Sequence, residues 1–296
     1  MMHDVFYFTD VHGQLDLFQT MRDWCYKQDP ECMIIYGGDA CDRGPFGMDI
    51  MEAILDDPQM VYIRGNHEDM FIHAAREIIS QYPEVANKTH TIAEATEIIG
   101  WCHWLHYTEL HLYNGGGSTL KDWLIDGAST EFINRLENET VVTFQLDSQF
   151  QAPMCFSHAG GSYEAWQRVN DCEYKGDLID KDDYSEMIWD RSLLNACWPE
   201  NKIIVFGHTP TCYLHEYTYA KWQRESEMRP VAYRATYNDG DTSGWHIDMD
   251  TGMTFYGRGY VLNCLTLDAV GFLDQDVRKQ DSKRAIEIGF ENFKII

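Results

Sequence analysis

Positive charge is what this chain has least of. Against 48 Asp and Glu it carries 23 Lys and Arg, a formal net charge of −25. Such a field repels DNA, RNA and anionic membranes, which excludes nucleic acids and membrane surfaces as partners. No apolar run approaches the length of a membrane span. A secretory leader is not expected either, because Met1-Met2-His3-Asp4 has no basic stretch and Val5–Phe8 is too short for its apolar core. Nine cysteines occur without one Cys-x-x-Cys pair. Their scatter reads as reduced thiols in a reducing compartment, hence a cytoplasmic protein. Internal repeats and low-complexity linkers are missing too, so residues 1–296 are expected to form one domain, with the 44% hydrophobic share of an ordinary globular chain.

What is there is concentrated in three short polar loops. They are Thr9-Asp10-Val11-His12-Gly13, Gly38-Asp39-Ala40-Cys41-Asp42-Arg43-Gly44 and Arg64-Gly65-Asn66-His67-Glu68. Each follows an apolar, β-branched or aromatic run, Val5–Phe8, Met33–Tyr36 or Met60–Ile63, which reads as a buried strand. Helix-like stretches, Leu15–Gln28 and Gly47–Asp56, lie between them at the spacing of successive βαβ units. The loops should therefore stand side by side at the carboxyl ends of neighbouring strands, where open α/β sheets bind ligands. Two further histidines have the same setting. Ser157-His158-Ala159-Gly160 follows Met154–Phe156, and Gly207-His208-Thr209-Pro210 follows Ile203–Phe206. Carboxylate, imidazole and amide oxygen in this combination suit first-row divalent metals rather than calcium.

With these motifs the chain resembles the phosphoprotein phosphatase family of metallophosphoesterases, whose pattern is GDxHG, GDxxDRG and GNHE followed by two isolated histidines. Within it the chain is most similar to the lambda-phage type, sharing Ile188-Trp189-Asp190-Arg191, the Asn114-Gly115-Gly116 turn and the late Asp250-Thr251-Gly252. The resemblance runs from about residue 4 to about residue 270 and departs at Thr9, where glycine is usual. It implies a four-layer αββα sandwich, two mixed sheets flanked by helices. It also implies two divalent ions, manganese foremost and iron, zinc or nickel as alternatives. One ion would take Asp10, His12 and Asp39; the other would take Asp39, Asn66, His158 and His208, with Asp39 bridging. Arg43 and Arg191 would grip phosphate, with Asn114 on the substrate side. His67 would protonate the leaving oxygen while Asp42 orients its ring, and a metal-bound water would attack directly, without a phosphoenzyme.

The implied activity is hydrolysis of phosphoserine, phosphothreonine or phosphotyrosine in proteins and of small phosphoesters. A symmetrical dinucleoside-polyphosphate hydrolase is the alternative, and an inactive phosphate-binding module a third. Taken singly, each motif is an ordinary Asp/Asn/Gly turn, and Arg191 an ordinary surface cation; five motifs in order after apolar runs argue otherwise. His3, His73, His90, His103, His106, His111, His215 and His246 are not expected to be ligands; His103 and His106 sit in what reads as an amphipathic helix. Cys41 reads as loop filler or as an oxidation-sensitive thiol. Two segments look like additions. A helical lid is expected over about 68–140, from stretches Glu68–Ile79, Ile92–Trp104 and Leu120–Leu136. An aromatic loop or hairpin over about 213–245, with Tyr217, Trp222 and Tyr233, would stack on a substrate or merely pack.

Overall fold

The computed structural model describes residues 3–146, 153–171, 181–192, 194–199, 201–217, 228–236, 242–273 and 286–288. Strands β1 (Val5–Phe8), β2 (Met33–Tyr36) and β3 (Met60–Tyr62) pair in parallel. They are extended on the β1 side by β9 (Arg258–Asn263), β10 (Ala269–Leu273) and β11 (Ile286–Ile288), all antiparallel, giving the order β11-β10-β9-β1-β2-β3. A second sheet, β4-β5-β6-β8-β7, comprises β4 (Thr143–Leu146), β5 (Met154–Ser157), β6 (Ile203–Phe206), β7 (Val231–Thr236) and β8 (Thr242–Asp248). Its centre, β5-β6-β8, is parallel and its edges are antiparallel.

Alternation along each strand decides the layers. Phe6, Phe8, Ile34 and Tyr36 point from the first sheet into a cluster with Leu17, Phe18 and Met21 of the helix Leu15–Gln28 and Ile50, Met51 and Ile54 of the helix Gly47–Leu55. Val5, Tyr7 and Ile35 point the other way, against Met154, Phe156, Ile203, Val205 and Ile247 of the second sheet. The Tyr7 and Phe156 rings stack with centroids 5.5 Å apart. Cys155, Ile204 and Phe206 face outward onto Trp166, Met187 and Ile188 of the helices Tyr163–Asp171 and Lys181–Ile188. The result is helix, sheet, sheet, helix. The central strands read as unbroken apolar runs because both faces are buried.

The segment after β3 differs from a lid. Of five helices, Asn66–Gln81, Ile92–Cys102, Gly117–Ile125 and Thr130–Glu139 contribute Phe71, Ile78, Ile98, Leu120, Trp123, Phe132 and Leu136 to the same core cluster as the first sheet, and Leu112 of His106–Tyr113 packs against it. The stretch Leu120–Leu136 breaks into two helices at Gly127 and Ala128, both at positive φ (110° and 46°). In the aromatic segment, β7 and β8 are a hairpin of the second sheet itself. Tyr233 is buried, its ring stacked on His246 and its hydroxyl donating to the Leu194 carbonyl, so it packs and cannot stack on a substrate. Trp222, and the turn expected at 238–241, lie outside the described residues.

Phe71 fixes the depth of this helical layer, its ring 6.1 Å from Trp123 and 6.4 Å from Phe132. Phe71→Ala is expected to cost about 3–5 kcal/mol in urea unfolding. A loss of about 1 kcal/mol or less, within the scatter of ordinary substitutions, would show that the layer is not part of the core.

Candidate metal centre

All three amino-terminal loops leave parallel strands at the same edge, and backbone bonds zip the first two together. Asp10 N–H donates to the Gly38 carbonyl, His12 N–H to Asp39, and Gly13 N–H to Ala40. The third is tied on by Glu68, in the first turn of the helix Asn66–Gln81. Its buried carboxylate accepts from Asp39 N and Gly65 N (both 2.8 Å) and from Ala40 N (2.7 Å). The loops of β5 and β6 are joined by Gly207 N–H to the His158 carbonyl. The two sheets then meet where His208 N–H donates to both oxygens of Asp10, 3.2 Å each.

The turns that make this convergence possible are strained. Asp10, His12, Asp39, Asp42, Arg43 and His208 all have left-handed backbone, φ between 45° and 68°. Only three other non-glycine residues among those described do so. Each such residue costs about 1–3 kcal/mol, and the hydrogen bonds between loops hold them in place. Thr9, the departure from the family pattern, spends its hydroxyl on Asp10 Oδ2 at 2.6 Å.

Three imidazoles have one nitrogen fixed on a backbone carbonyl. His12 Nδ1–H donates to Cys41 (2.9 Å), His158 Nδ1–H to Gly37 (2.8 Å) and His208 Nε2–H to Trp189 (3.1 Å). Each other nitrogen is thereby aimed inward. His12 Nε2 lies 3.5 Å from Asp39 Oδ2, and His158 Nε2 lies 3.2 Å from Asp39 Oδ1 and 3.1 Å from Asn66 Oδ1. His208 Nδ1 lies 2.9 Å from Asn66 Oδ1, with both atoms acting as acceptors. Donor atoms of His12, Asp39 and His67 fall within 4.8 Å of one another, as do those of Asp39, His158 and His208, so both groups share Asp39. Asp10 belongs to neither. Its oxygens accept from Thr9 Oγ1 and His208 N–H, bonds that leave lone pairs for a cation.

The electrostatics say what such a cluster calls for. Burial, with Asp250 and Asp39 nearby, holds the Asp10 carboxyl well above the ordinary carboxylate range. Burial likewise pushes Asp250 up to about 6 and holds Asp248 well above the ordinary carboxylate range, and among the described residues Asp248 Oδ2 has no hydrogen bond. At His158 burial disfavours charge, but Asp39 outweighs it and raises the imidazole to about 10. At Asp39 burial is likewise overcome, by His158 and His67, which hold it low. Buried oxygens and lone pairs aimed at one point draw positive charge there, and the donor set fits divalent cations held by Asp39, His12, Asn66, His158 and His208, with Asp10 at the edge.

Around this centre, Arg43 Nη1 and Nη2 donate to His12 Nε2 (2.6 Å) and His67 Nε2 (2.9 Å). Arg191 is half-buried and anchored through Nε to Thr209 Oγ1 (3.0 Å) and through Nη2 to the His208 carbonyl (3.2 Å). His67 Nδ1–H donates to buried Asp42 at 2.7 Å. Asn114 is not brought to the cluster: its side-chain amide caps its own helix at the Leu110 carbonyl, and what reaches Arg43 is the neighbouring Gly115 carbonyl, accepting from Arg43 N–H at 3.1 Å. The Cys41 thiol is fully buried and pushed well up by that burial, which keeps it protonated rather than oxidation-prone. Sequence reasoning missed Glu68 and His111, the latter bonded to Asp42 through Nε2 at 2.8 Å. Glu68 lay inside a quoted motif, whereas no local signal marks His111.

The chain belongs to the calcineurin-like phosphoesterase family, whose sequence profile matches residues 4–227. It is therefore a hydrolase of metallophosphoesterase type, a class that uses divalent metals. Solved structures similar to it include a cold-active protein tyrosine phosphatase from a psychrophilic Shewanella, 13% identical over 96% of this chain and 80% of that chain, TM-score 0.46. A candidate diadenosine tetraphosphatase is 11% identical over 97% and 93%, TM-score 0.45. A protein serine/threonine phosphatase from Saccharomyces cerevisiae is 11% identical over 97% and 80%, TM-score 0.40. No curated protein sequence matches the chain closely enough to count as a relative.

Gly65 leaves no room for a side chain beside the centre. A Cβ there would lie 2.2 Å from Asp39 Oδ1 and 2.5 Å from Asp39 N. Gly65→Ala is expected to weaken Mn²⁺ binding at least about tenfold, as loss of a supporting contact does, with the far-ultraviolet circular dichroism unchanged. Unaltered titration by Mn²⁺ would contradict the placement of Asp39 at the centre.

Proposed function

We propose that this protein is a phosphomonoesterase of the lambda-phage type of phosphoprotein phosphatase, acting on phosphoserine, phosphothreonine or phosphotyrosine in proteins and on small phosphate esters. The observation that carries this reading is the pairing of two guanidinium groups with the shared-Asp39 donor cluster. Arg191 is fixed beside His208, and Arg43 reaches between His12 and His67. A phosphomonoester dianion offers three terminal oxygens, which two forked cations and a divalent pair match. The ions we assign are manganese; when bound they would polarise the phosphoryl oxygens and make water a nucleophile near neutral pH. We place the protein in the cytoplasm, in keeping with the free thiols of the eight described cysteines.

In this reading Asp10, His12, Asp39, Asn66, His158 and His208 hold the ions, and Asp10 also fixes the His208 backbone. Arg191 clamps one phosphoryl oxygen. Arg43 leaves the His67 ring to take another, which frees His67 Nε2 to face the ester oxygen. A water oxygen bonds to phosphorus as the P–O ester bond breaks. The departing oxygen takes a proton that His67 Nε2, once freed of Arg43, has gained from solvent, while the attacking water gives its proton to solvent, releasing the alcohol and inorganic phosphate. Asp42, bonded to His67 Nδ1–H, fixes which nitrogen of the ring faces the substrate.

If His67 is this acid, His67→Asn should lower kcat about 10²–10⁴-fold on phenyl phosphate, the usual scale of general acid catalysis. The loss on 4-nitrophenyl phosphate, whose phenolate leaves unaided, should be much smaller. Equal losses would instead give His67 a structural role.

The dinucleotide alternative requires a surface that stacks on a base. Tyr233, one of its three expected candidates, is buried in packing. Competition between diadenosine tetraphosphate and 4-nitrophenyl phosphate is expected to show a higher kcat/KM for the monoester. A preference for the dinucleotide would replace the phosphatase reading with the hydrolase one.

A further inference from the structure

Asp42 is completely buried, and both of its oxygens are fully engaged. Oδ2 accepts from His67 Nδ1 at 2.7 Å and from His111 Nε2 at 2.8 Å. Oδ1 accepts from Thr119 Oγ1 at 2.6 Å and from His111 Nε2 at 2.9 Å. Thr119 Oγ1 in turn accepts from Asp42 N–H at 3.0 Å, closing a ring. Burial works to raise the Asp42 carboxyl, but His111 first and then His67 hold it well below the usual range. The carboxylate thus lies between two imidazoles, only one of which faces the metal centre.

The segment that supplies His111 and Thr119 is shaped around the Asp42 loop. Gly115, at φ +98°, turns its carbonyl onto Arg43 N–H. Gly116 has no room for a side chain, because a Cβ there would lie 2.2 Å from the His111 ring. Ser118 Oγ donates to the Gly44 carbonyl at 3.1 Å. The far nitrogen, His111 Nδ1, is buried without a hydrogen bond among the described residues. A bare His111 Nδ1 costs stability that an apolar side chain would spare, so the ring is kept for what its other nitrogen does.

We propose that His111, with Thr119, is a positioning residue for the His67 acid: it fixes the plane of the Asp42 carboxylate so that Oδ2 meets His67 Nδ1–H. The Asn114-Gly115-Gly116-Gly117 turn is then a backing for this relay and not a substrate contact. Without His111, Asp42 can rotate toward Thr119 alone, and His67 loses its orientation while the ions and phosphate grip are untouched. The inference rests on the reading of His67 as leaving-group acid.

The test compares His111→Phe, which fills the space without a donor, and His111→Gln, which restores an N–H at similar reach. Thr119→Val removes the second donor with little change of shape, and carries the test if His111→Phe does not fold. Each is assayed on phenyl phosphate and 4-nitrophenyl phosphate with bound manganese measured. For His111→Phe, kcat on phenyl phosphate is expected to fall about 10–100-fold, the range of lost supporting contacts. KM and metal content should hold, 4-nitrophenyl phosphate should be nearly unaffected, and His111→Gln should recover most of the rate. Thr119→Val should show the same leaving-group bias at smaller size. Equal losses on both substrates, a matching loss of manganese, or no recovery in His111→Gln would overturn the proposal. If His67→Asn shows leaving-group bias and neither His111→Phe nor Thr119→Val does, this inference alone fails; if His67→Asn shows none, the acid assignment fails first.

Discussion

Five side chains present lone pairs to one another where the two sheets of this protein meet. Asp39, Asn66, His12, His158 and His208 come from five different loops, and each would be better solvated apart. They are held there by a lattice of backbone bonds: the carbonyls of Gly37, Cys41 and Trp189 lock the imidazoles, and three amides lock Glu68. Six left-handed residues are a further cost of bringing them together. A fold meets such a cost where the assembled charge has a use. The Asp39 carboxylate raises the His158 imidazole to about 10 against the effect of burial.

That constraint orders the rest of the molecule. Both faces of the parallel strands must be apolar, so that the loops at their ends are rigidly spaced. The outer helical layers supply the second of those faces. The helices between β3 and β4 do more than cover. They deliver His111 and Thr119 to the underside of the Asp42 loop, so the same layer that contributes Phe71 and Trp123 to the core also reaches the chemistry. The surface, by contrast, is acidic throughout the sequence at −25. An anionic substrate is therefore attracted only locally, through Arg43, Arg191 and bound metal.

Much of this was legible in the residues. Val5–Phe8, Met33–Tyr36, Ile203–Phe206 and the helix Leu15–Gln28 are found where the apolar patterns place them. They are buried strongly enough that local sequence and tertiary environment agree. The ligand-like residues were visible because each follows directly on such a strand. His111 was not, because its partner Asp42 is remote in sequence and only helix packing brings them together. The cross-sheet bond from His208 N–H to Asp10 was not legible either, since a motif records residue types and not which groups of another sheet reach them. The segment over 68–140 is helical as expected but completes the core, and in the aromatic segment Tyr233 follows the packing alternative. Amphipathic spacing shows that a face is buried, but not whether it covers a site or completes the core.

The central claim is that Asp39 is shared between two cations. A crystal of the manganese-loaded protein, measured at the manganese absorption edge, tests it most directly. Two anomalous peaks about 3.5–4 Å apart, both held by the Asp39 carboxylate, are what the account requires. A single peak, or two that do not share Asp39, would contradict it.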